Sequence, residues 1–416
     1  MKKLLVIGYV WPEPNSSAAG SRMMQLINIF KNQDYEVTYT SPALESEHMI
    51  DLDMLDIKKV SIELNNSSFD EYVKTLHPDV VLFDRFMMEE QFSWRVEKQC
   101  PSALMMLETV DLHCLRYARH QAVKNNKDAF NPENLEFNND IALREIASIL
   151  RCDISLLISE YEMEVLKNKY HVNEEILLYV PFMYGSLNKD ECLEKWTAYK
   201  DREHFVTIGN FRHEPNWDSV LYLKNEVWPQ IKSKLKSVEL HIYGAYPPKK
   251  AQQLHNPKQG FYIKGWADDA IETLSQYRIC LAPLRFGAGM KGKLADAMLS
   301  GTPSITTPIG AESMYSELDW PGIIANDSQS IINAAIELYD NDAKWHQSQL
   351  NGISIVNTVF NKVENEKRFI NKLSEIMKLL DEHRNNNFTG AMLRHHKMKS
   401  TMYMSQWIEE KNKLNV

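Results

Sequence analysis

Short apolar runs alternate with segments of helical spacing along most of the chain, and this alternation predicts the fold. In the first half, apolar runs occupy residues 4–9, 35–39, 78–83, 103–107, 154–158 and 177–180. Residues 23–30 have apolar positions at helical spacing, between the first two runs. Runs that are apolar throughout are typical of a parallel sheet with helices on both faces. The first half therefore predicts a Rossmann-like α/β domain.

A second series of the same kind follows a polar stretch. Its apolar runs occupy residues 204–208, 238–243, 261–263, 279–282, 304–307 and 322–325, and its helical patterns occupy residues 217–236, 328–340 and 364–382. A chain of 416 residues is also too long for one ordinary core. We therefore expect an N-terminal domain (1–185), a linker (186–203) and a C-terminal domain (204–382).

The remaining residues, 383–416, form a polar and basic tail that differs from both domains. Residues 402–410 have the spacing of an amphipathic helix, with Met404, Trp407 and Ile408 on one face. Such a helix either docks on the body of the protein or lies on a membrane surface. The few cations on it favour docking.

Composition excludes several classes of protein. The net charge of -9 argues against a general nucleic-acid binder. The five cysteines are scattered and form no Cys-x-x-Cys pair, so the sequence indicates neither a disulfide framework nor a zinc site. No apolar run is long enough to span a bilayer, and the first residues lack a signal-peptide cleavage site. We expect a cytoplasmic protein, with peripheral contact at the inner membrane face as the alternative for its tail.

The most informative segment is residues 283–303, PLRFGAGMKGKLADAMLSGTP. It places a glycine-rich turn and two lysines between an apolar run and a helical pattern. Glycines allow the backbone to approach an anion, and a helix N-terminus adds unpaired N–H groups and partial positive charge. Asp296 lies three residues after Lys293, on the same helix face. This pattern predicts a ligand with phosphates and hydroxyls, such as a nucleotide sugar; the alternative is a tight turn with solvated lysines.

With residues 209–218 (GNFRHEPNWD), 242–244 (IYG) and 307–312 (TPIGAE) and Gly265, this segment resembles the donor-binding half of GT-B glycosyltransferases. The resemblance is to the retaining, family-4-like group, also called glycosyl transferases group 1. The N-terminal half is similar more loosely, through its first βα unit and residues 159–160. The resemblance covers most of residues 1–380 and implies an α/β fold with two Rossmann-like domains facing across a cleft.

The function that the resemblance implies is transfer of a sugar from a nucleoside-diphosphate sugar to a polysaccharide, lipid-linked or other glycan acceptor. It implies retention at the anomeric carbon, and neither a metal ion nor another cofactor. Two alternatives stay open: a sugar-nucleotide epimerase on the same fold, and a non-catalytic nucleotide-sugar-binding protein. Nucleic acid is not an expected partner.

Donor-site residues follow from the resemblance. It implies that Lys293 contacts the diphosphate, together with Gly287, Gly289 and Lys291 of the same loop. Asp296 is expected to hold the ribose hydroxyls, at a position where the family usually has glutamate.

The resemblance also draws attention to two other positions: one where this chain differs from many family members, and one that offers a further catalytic candidate. Many members have a further glutamate eight residues earlier, where this chain has Ala288. A basic residue often follows the first strand of the donor domain, and Arg212 is expected to fill that catalytic role.

Residues at other strand ends are further candidates. His113 follows the apolar run 103–107, and we expect it either near the transferred sugar or in a structural site. Arg116 and Arg119 follow at helical spacing and predict one cationic face. The pair 84–85 (DR) is either a cleft element or a structural ion pair.

Three loop residues and two residues after the run 304–307 complete the candidate site. Asn15, Ser17 and Gly20 belong to the loop after the first strand, where α/β sheets place ligands. This loop is expected to face the phosphates or the acceptor, or to be an ordinary connection. The Gly310 backbone is expected near the sugar, and Glu312 is either a sugar contact or an acid at a helix N-terminus.

The acidic triplet 51–53 (DLD) resembles a metal-binding motif of another glycosyltransferase class, but its context indicates a solvated segment and no metal site.

Overall fold

Two parallel sheets form the framework of the computed structural model, which describes residues 1–414 except for the side chains of Lys397 and Met398. The predicted tail range 383–416 therefore ends outside the described residues. The first sheet contains β1 (Lys2–Ile7), β2 (Tyr35–Ser41), β3 (Lys58–Ser61), β4 (Val80–Asp84), β5 (Leu104–Glu108), β6 (Ile154–Leu157) and β7 (Leu177–Tyr179). Its spatial order is β3-β2-β1-β4-β5-β6-β7, and all its pairs are parallel.

The second sheet has six strands. It contains β8 (Glu203–Ile208), β9 (Leu240–Tyr243), β10 (Phe261–Gly265), β11 (Tyr277–Ala282), β12 (Ser304–Thr306) and β13 (Gly322–Ile324). Its order is β10-β9-β8-β11-β12-β13, again entirely parallel. The prediction of two Rossmann-like α/β domains is confirmed.

Helices cover both faces of the sheets. Those that follow strands of the first sheet are α1 (Ala18–Asn32), α2 (Ser68–Leu76), α3 (Phe86–Gln99), α4 (His113–Lys124), α5 (Asp140–Arg151), α6 (Glu160–Tyr170) and α7 (Lys189–Lys195). Those that follow strands of the second sheet are α8 (Glu214–Tyr222), α9 (Trp228–Lys234), α10 (Lys249–Gln252), α11 (Ala270–Ser275), α12 (Gly292–Leu299), α13 (Pro308–Ala311), α14 (Ser328–Asp340) and α15 (Asp342–Thr358). The C-terminal helices are α16 (Lys362–Lys378), α17 (Leu380–Asn385) and α18 (Phe388–Lys413).

The uninterrupted apolar runs are explained by burial of both faces of each strand. In β1, Leu5 and Ile7 lie in the core on one face of the first sheet, and Leu4 and Val6 lie in the core on the other. All four side chains are 0% exposed. A strand with one solvated face would instead require polar residues at every second position.

The pattern of apolar runs did not predict one strand, β3. β3 pairs with β2 at the edge of the first sheet, although its segment KKVS has a single apolar residue. Both Lys58 and Ser61 are exposed, so packing on a core does not dictate this strand. Its sequence consequently carries no apolar signal, so the pattern of apolar runs did not predict it.

The chain returns to the first domain after it completes the second sheet. Phe369, Leu373 and Ile376 of α16 are buried in the same core as Leu4 of β1. The rings of Phe30 and Phe369 meet edge to face, with centroids 5.6 Å apart. The range 204–382 therefore includes a helix whose apolar face belongs to the first domain.

The expected linker lies against the second domain. It contains α7, and a methyl group added at Gly301 would lie 2.3 Å from the ring of Trp196. The buried Arg202 side chain donates to Oγ1 of Thr302 at 2.7 Å and to the carbonyl oxygen of Ser300 at 3.0 Å. These contacts hold the segment that precedes β8 in place.

The tail helix α18 packs against α3 and α5 of the first domain. Arg95 donates to Oγ of Ser405 at 3.0 Å, and Ser405 is buried. Met404 and Trp407 are 58% and 59% exposed, so the helix docks through a different side from the one that the sequence pattern indicated. Among the described residues, no helix is both long enough and apolar enough to cross a membrane.

Candidate active site

The carboxyl ends of β8 and β11 adjoin at the point where the strand order of the second sheet reverses. Open α/β sheets bind ligands at this topological switch point. Lys293 from α12 reaches it, and its Nζ donates to Oδ1 of Asn216 from α8 at 2.7 Å. A methyl group at Gly209, directly after β8, would lie 2.8 Å from the Lys293 Nζ. Glycine at this position therefore leaves space for the lysine.

Residues 283–291, which we call the donor loop, are held by side chains of the first domain. Arg119 of α4 donates through Nη1 to the carbonyl oxygen of Gly287 at 2.9 Å. The N–H of Gly289 donates to Oε1 of Glu162, from α6, at 2.7 Å. Gly289 has a φ of +63°, and a methyl group there would lie 2.9 Å from Cβ of Asp111. The loop therefore requires glycine both for its conformation and for its contact with the first domain.

Cationic side chains from both domains gather beside this loop. Arg116 forms an ion pair with Asp111, and its charge, after burial itself, lowers the pKa of His213 to about 3. His213 is exposed. Neighbouring protein atoms nevertheless displace enough water to disfavour its charged form, and this is the largest cause of the lowered pKa. Lys291 and Lys293 act on the same imidazole in the same direction. Arg116 is paired with Asp111, whereas Lys293 has no ion pair within the described part of the chain.

Burial weakens the protonated form of both lysines. It lowers the pKa of Lys293 to about 8, against the smaller opposing effects of Cys280 and Asp296. It also lowers the pKa of Lys291 and raises that of Glu162, and these two groups interact. A bound anion would restore the preference of these lysines for the charged form.

Two helix N-termini meet across the cleft. α12 begins at Gly292 and α1 begins at Ala18, and a methyl group added at Gly292 would lie 2.5 Å from Cβ of Ala18. Each N-terminus carries unpaired N–H groups and partial positive charge. The two ends therefore repel each other slightly and together favour an anion beside them.

Asp296 projects from the second turn of α12. Burial, followed by the charge of Asp269, raises its pKa to about 7. Its carboxylate has no hydrogen bond or ion pair with any residue in the described part of the chain. It is consequently free to accept hydrogen bonds from a ligand.

His113 lies at the start of α4 with its ring fixed. Its Nδ1 lies 3.1 Å from the carbonyl oxygen of Asp111 and 3.2 Å from Oε1 of Glu145. Phe86 packs edge to face against the ring, with centroids 5.5 Å apart. The side chain is 13% exposed, so the structure places it beside Asp111 with one edge open.

Arg212 lies outside the cation cluster. Its guanidinium carbon is 3.6 Å from the ring centroid of Tyr246, and the side chain is exposed. The charge of Arg116 instead acts on the neighbouring His213, whose pKa it lowers after the larger effect of burial. Of the two residues after β8, the one that adjoins the donor loop is therefore the histidine.

The residues after β12 have structural partners. The N–H of Gly310 donates to Oγ1 of Thr307 at 3.2 Å, and a methyl group at Gly310 would lie 1.9 Å from Oγ1 of Thr306. Glu312 accepts two hydrogen bonds from Arg119, at 2.6 and 2.9 Å. Both residues therefore shape the site through neighbouring protein groups in this conformation.

The loop after β1 contacts the second domain through residues other than those singled out from the sequence. Ser17 accepts the N–H of Gly20 and so caps α1, while Asn15 is exposed. The contacts across the cleft come from Ser16, which accepts from Asn210 at 3.2 Å, and from Glu13, which accepts from Tyr246 at 2.8 Å.

Sequence reasoning missed Glu162 and Asn216, and it assigned no role to His213. Glu162 lies 127 residues before Gly289, so no local pattern signals their contact. Asn216 lies within the motif 209–218 that carried the resemblance, and that was the available signal. Among the described residues, no group of three or more His, Cys, Asp or Glu side chains could hold a metal ion.

Residues 202–341, which include the donor loop, both lysines and Asp296, match the family model described as Glycosyl transferases group 1. The second domain therefore matches the group 1 glycosyltransferases. No curated protein sequence matches this chain.

Solved structures of similar shape span nearly the whole enzyme. Sucrose-phosphate synthase from Thermosynechococcus elongatus has a TM-score of 0.67 and 13% identity, over 91% of this chain and 100% of that one. A mutant of TarM from S. aureus, in complex with fondaparinux, alpha-GlcNAc-glycerol and UDP, has a TM-score of 0.68 and 10% identity, over 89% and 99%. HepE from Anabaena, in complex with UDP and glucose, has a TM-score of 0.66 and 12% identity, over 90% and 100%. These similarities establish the GT-B fold, with its two facing domains.

Proposed function

We propose that this glycosyltransferase uses a nucleoside-diphosphate sugar as its donor and binds the diphosphate beside Lys291 and Lys293. The observation that carries the proposal is the concentration of cations and helix N-termini at the second-domain switch point. Lys293 is half-buried there, and among the described residues its side chain hydrogen-bonds only to the neutral Asn216. The TarM and HepE structures are complexes with UDP, which supports a donor of this class.

The chemical role of these cations is to stabilise the leaving group. Departure of a nucleoside diphosphate leaves negative charge on its terminal phosphate. Lys293, Lys291 and the N-terminus of α12 are preorganised to receive that charge, and they would take the place of a metal ion. Loss of one such donor costs roughly 3 kcal/mol of transition-state stabilisation in comparable oxyanion sites.

Asp296 is the proposed partner of the ribose hydroxyls. Its carboxylate is free, and it lies one helical turn after Lys293. Hydroxyl donors would stabilise the ionised form, against the burial that raises its pKa. Ala288 adds no polar group of its own, so sugar contacts would come from other residues around the donor loop.

Closure of the domains would exclude water from the reaction. Arg119 and Glu162 of the first domain already contact the donor loop in this structure. We further propose retention at the anomeric carbon, on the resemblance of the second-domain motifs to retaining enzymes. The coupling constant of the anomeric proton in the product would distinguish retention from inversion.

The acceptor is proposed to be a glycan, free or lipid-linked, in a cytoplasmic setting. The exposed Tyr403, Met404 and Trp407 of α18 support contact with a membrane surface. Flotation with vesicles of anionic lipid would test this contact, since binding should fall when Trp407 is replaced by glutamine.

A thermal-shift screen against UDP-, GDP- and dTDP-sugars tests the donor proposal. One class should raise the melting temperature, because a ligand that binds the native state stabilises it. The shift should shrink in Lys291→Ala and persist in Lys258→Ala, which changes an exposed lysine of the same domain. If none of the nucleotides shifts the melting temperature, the donor class is wrong.

A further inference from the structure

The first sheet has its own topological switch point, between β1 and β4. β2 and β3 extend from one side of this point, and β5 to β7 extend from the other. Tyr9 and Val10 follow β1 after one glycine, and they are 45% and 43% exposed. Asp84 ends β4, and Arg85 follows it. A crevice at the carboxyl ends of these strands is a location where α/β sheets bind ligands.

Arg85 has a backbone conformation that is almost reserved for glycine. Its φ is 70° and its ψ is 157°. A side chain in this region strains the backbone, and such strain is found mainly where the side chain is needed for function. Neither the capping of α3 nor the packing of the core requires an arginine here, because the Arg85 side chain makes no capping hydrogen bond.

The side chains of Tyr9, Asp84 and Arg85 form a small cluster, which we call the platform. Its Nη1 donates to Oδ2 of Asp84 at 2.8 Å, and the same oxygen accepts the N–H of Tyr9 at 3.1 Å. The guanidinium carbon lies 5.3 Å from the centroid of the Tyr9 ring. Within the described part of the chain, Nε and Nη2 of Arg85 donate no hydrogen bond. The platform therefore offers an exposed aromatic ring and unused donors beside the largely buried carboxylate of Asp84.

The platform is connected to the donor loop through β5. The N–H of Arg85 donates to the carbonyl oxygen of Glu108 at 2.8 Å. Three residues after Glu108, Asp111 lies against Gly289 of the donor loop. Between them, Val110 has a φ of 65°, which is rare for a β-branched residue. The chain from the platform to the donor loop is thus short and conformationally fixed.

We propose that Tyr9, Asp84 and Arg85 form the acceptor subsite and bind an uncharged pyranose ring of a glycan. This inference rests on the proposed function. The apolar face of the sugar stacks on Tyr9, while adjacent hydroxyls donate to Asp84 and accept from Arg85. Asp84 neutralises Arg85, so the pair does not favour an anionic sugar over a neutral one. An aromatic ring beside a hydrogen-bonding pair suits a sugar, which has an apolar face and a polar rim.

The experiment measures binding of the full chain to an array of defined glycans, with UDP, GDP and dTDP present. The wild type should bind glycans that end in neutral pyranoses. Tyr9→Ala and Arg85→Gly should each weaken this binding at least tenfold. Phe130→Ala, which removes an aromatic ring of the same domain that is 44% exposed, should bind as the wild type does.

Arg85→Gly also distinguishes a loss of glycan binding from a loss of thermal stability. Glycine relieves the backbone strain, so its melting temperature should equal or exceed that of the wild type while glycan binding falls. His77→Gly, at an exposed left-handed position that ends α2, should show the same stability effect with unchanged binding.

Nucleotide binding, read by thermal shift on the same proteins, separates failure of this proposal from failure of the donor proposal. Glycan binding that is equal in all variants, or absent in a wild type that still binds a nucleotide, would overturn the acceptor subsite. Binding confined to glycans that end in acidic sugars would overturn the neutral class.

Discussion

Arg119 of the first domain and Glu312 of the second form a buried, two-point ion pair. The guanidinium donates to both carboxylate oxygens, at 2.6 and 2.9 Å, and the two side chains are 0% and 6% exposed. Arg119 also donates to the backbone of the donor loop at Gly287. One side chain thus couples the relative position of the domains to the conformation of the loop.

Loss of this arginine should open the enzyme. Arg119→Met leaves Glu312 buried without a partner, and removal of one member of a buried pair costs about 3–5 kcal/mol. We expect a lower urea midpoint and a larger radius of gyration by small-angle scattering. The double variant Arg119→Met with Glu312→Leu should recover much of the loss. A single variant with the midpoint and radius of the wild type would show that the pair does not hold the domains together.

The contact between the N-termini of α1 and α12 should be sensitive to one methyl group. Gly292→Ala would place its Cβ 2.5 Å from Cβ of Ala18, so the domains must separate slightly. We expect the KM for the donor to rise about tenfold, equivalent to about 1.4 kcal/mol. Ala18→Gly removes the opposing carbon and should restore the KM in the double variant. No rescue by Ala18→Gly would mean that this contact does not limit closure.

The depressed pKa of Lys293 predicts how donor affinity depends on pH. In the folded protein this lysine loses its proton near pH 8, while the unfolded chain keeps it to about 10.5. Between these values the unfolded state holds more protons, so this group alone makes stability rise with pH. The charged form is the one that binds a diphosphate, so affinity should fall above pH 8, by up to about tenfold per pH unit.

Calorimetric titration with the nucleoside diphosphate from pH 7 to 9.5 would check this dependence. Lys293→Met should bind more weakly at pH 7 and show a shallower decline, because one titrating group is gone. An affinity of the wild type that is constant across this range would argue against a charged lysine at the diphosphate.

The sequence predicted the fold well because its strands are buried on both faces. Residues such as Leu4 and Leu5 point into different cores, and that leaves a continuous apolar run in the sequence. β3 was missed because an edge strand with exposed lysines has no such run. α16 could be predicted as a helix. Its amphipathic pattern does not indicate which of the two sheets Phe369 packs against.

The site was predictable only where its residues are close in sequence. The donor loop and Lys293 share one segment. Glycines and lysines in such a segment favour the binding of an anion, so the sequence alone indicates their role. Glu162 and Arg119 reach that loop from another domain, through contacts that depend on how the two sheets face each other. Arg212 and His213 are adjacent, and only the geometry after β8 decides which of them faces the cations.

Asp296 should show opposite effects on stability and on binding. Its pKa of about 7 lies above the usual 3.8, so folding takes up a proton between these values. Stability therefore falls as pH rises from about 4 to 7, and at pH 8 this group lowers it. Asp296→Asn should raise the melting temperature at pH 8 and weaken donor binding by about 2 kcal/mol, the scale of a hydrogen bond to a charged group.

Asp319→Asn, which changes an exposed carboxylate of the same domain, is the matched control for both readouts. If donor affinity is equal in Asp296→Asn and in the control, Asp296 does not bind the ribose hydroxyls.

In the proposed mechanism, Lys293 stabilises the departing nucleoside diphosphate. The most direct measurement is the turnover of Lys293→Ala at saturating donor, with Lys258→Ala as the control. A loss of roughly 3 kcal/mol of transition-state stabilisation would lower kcat by about two orders of magnitude. That decrease, with normal turnover in the control, is the predicted result. Unchanged kcat in Lys293→Ala would contradict the account.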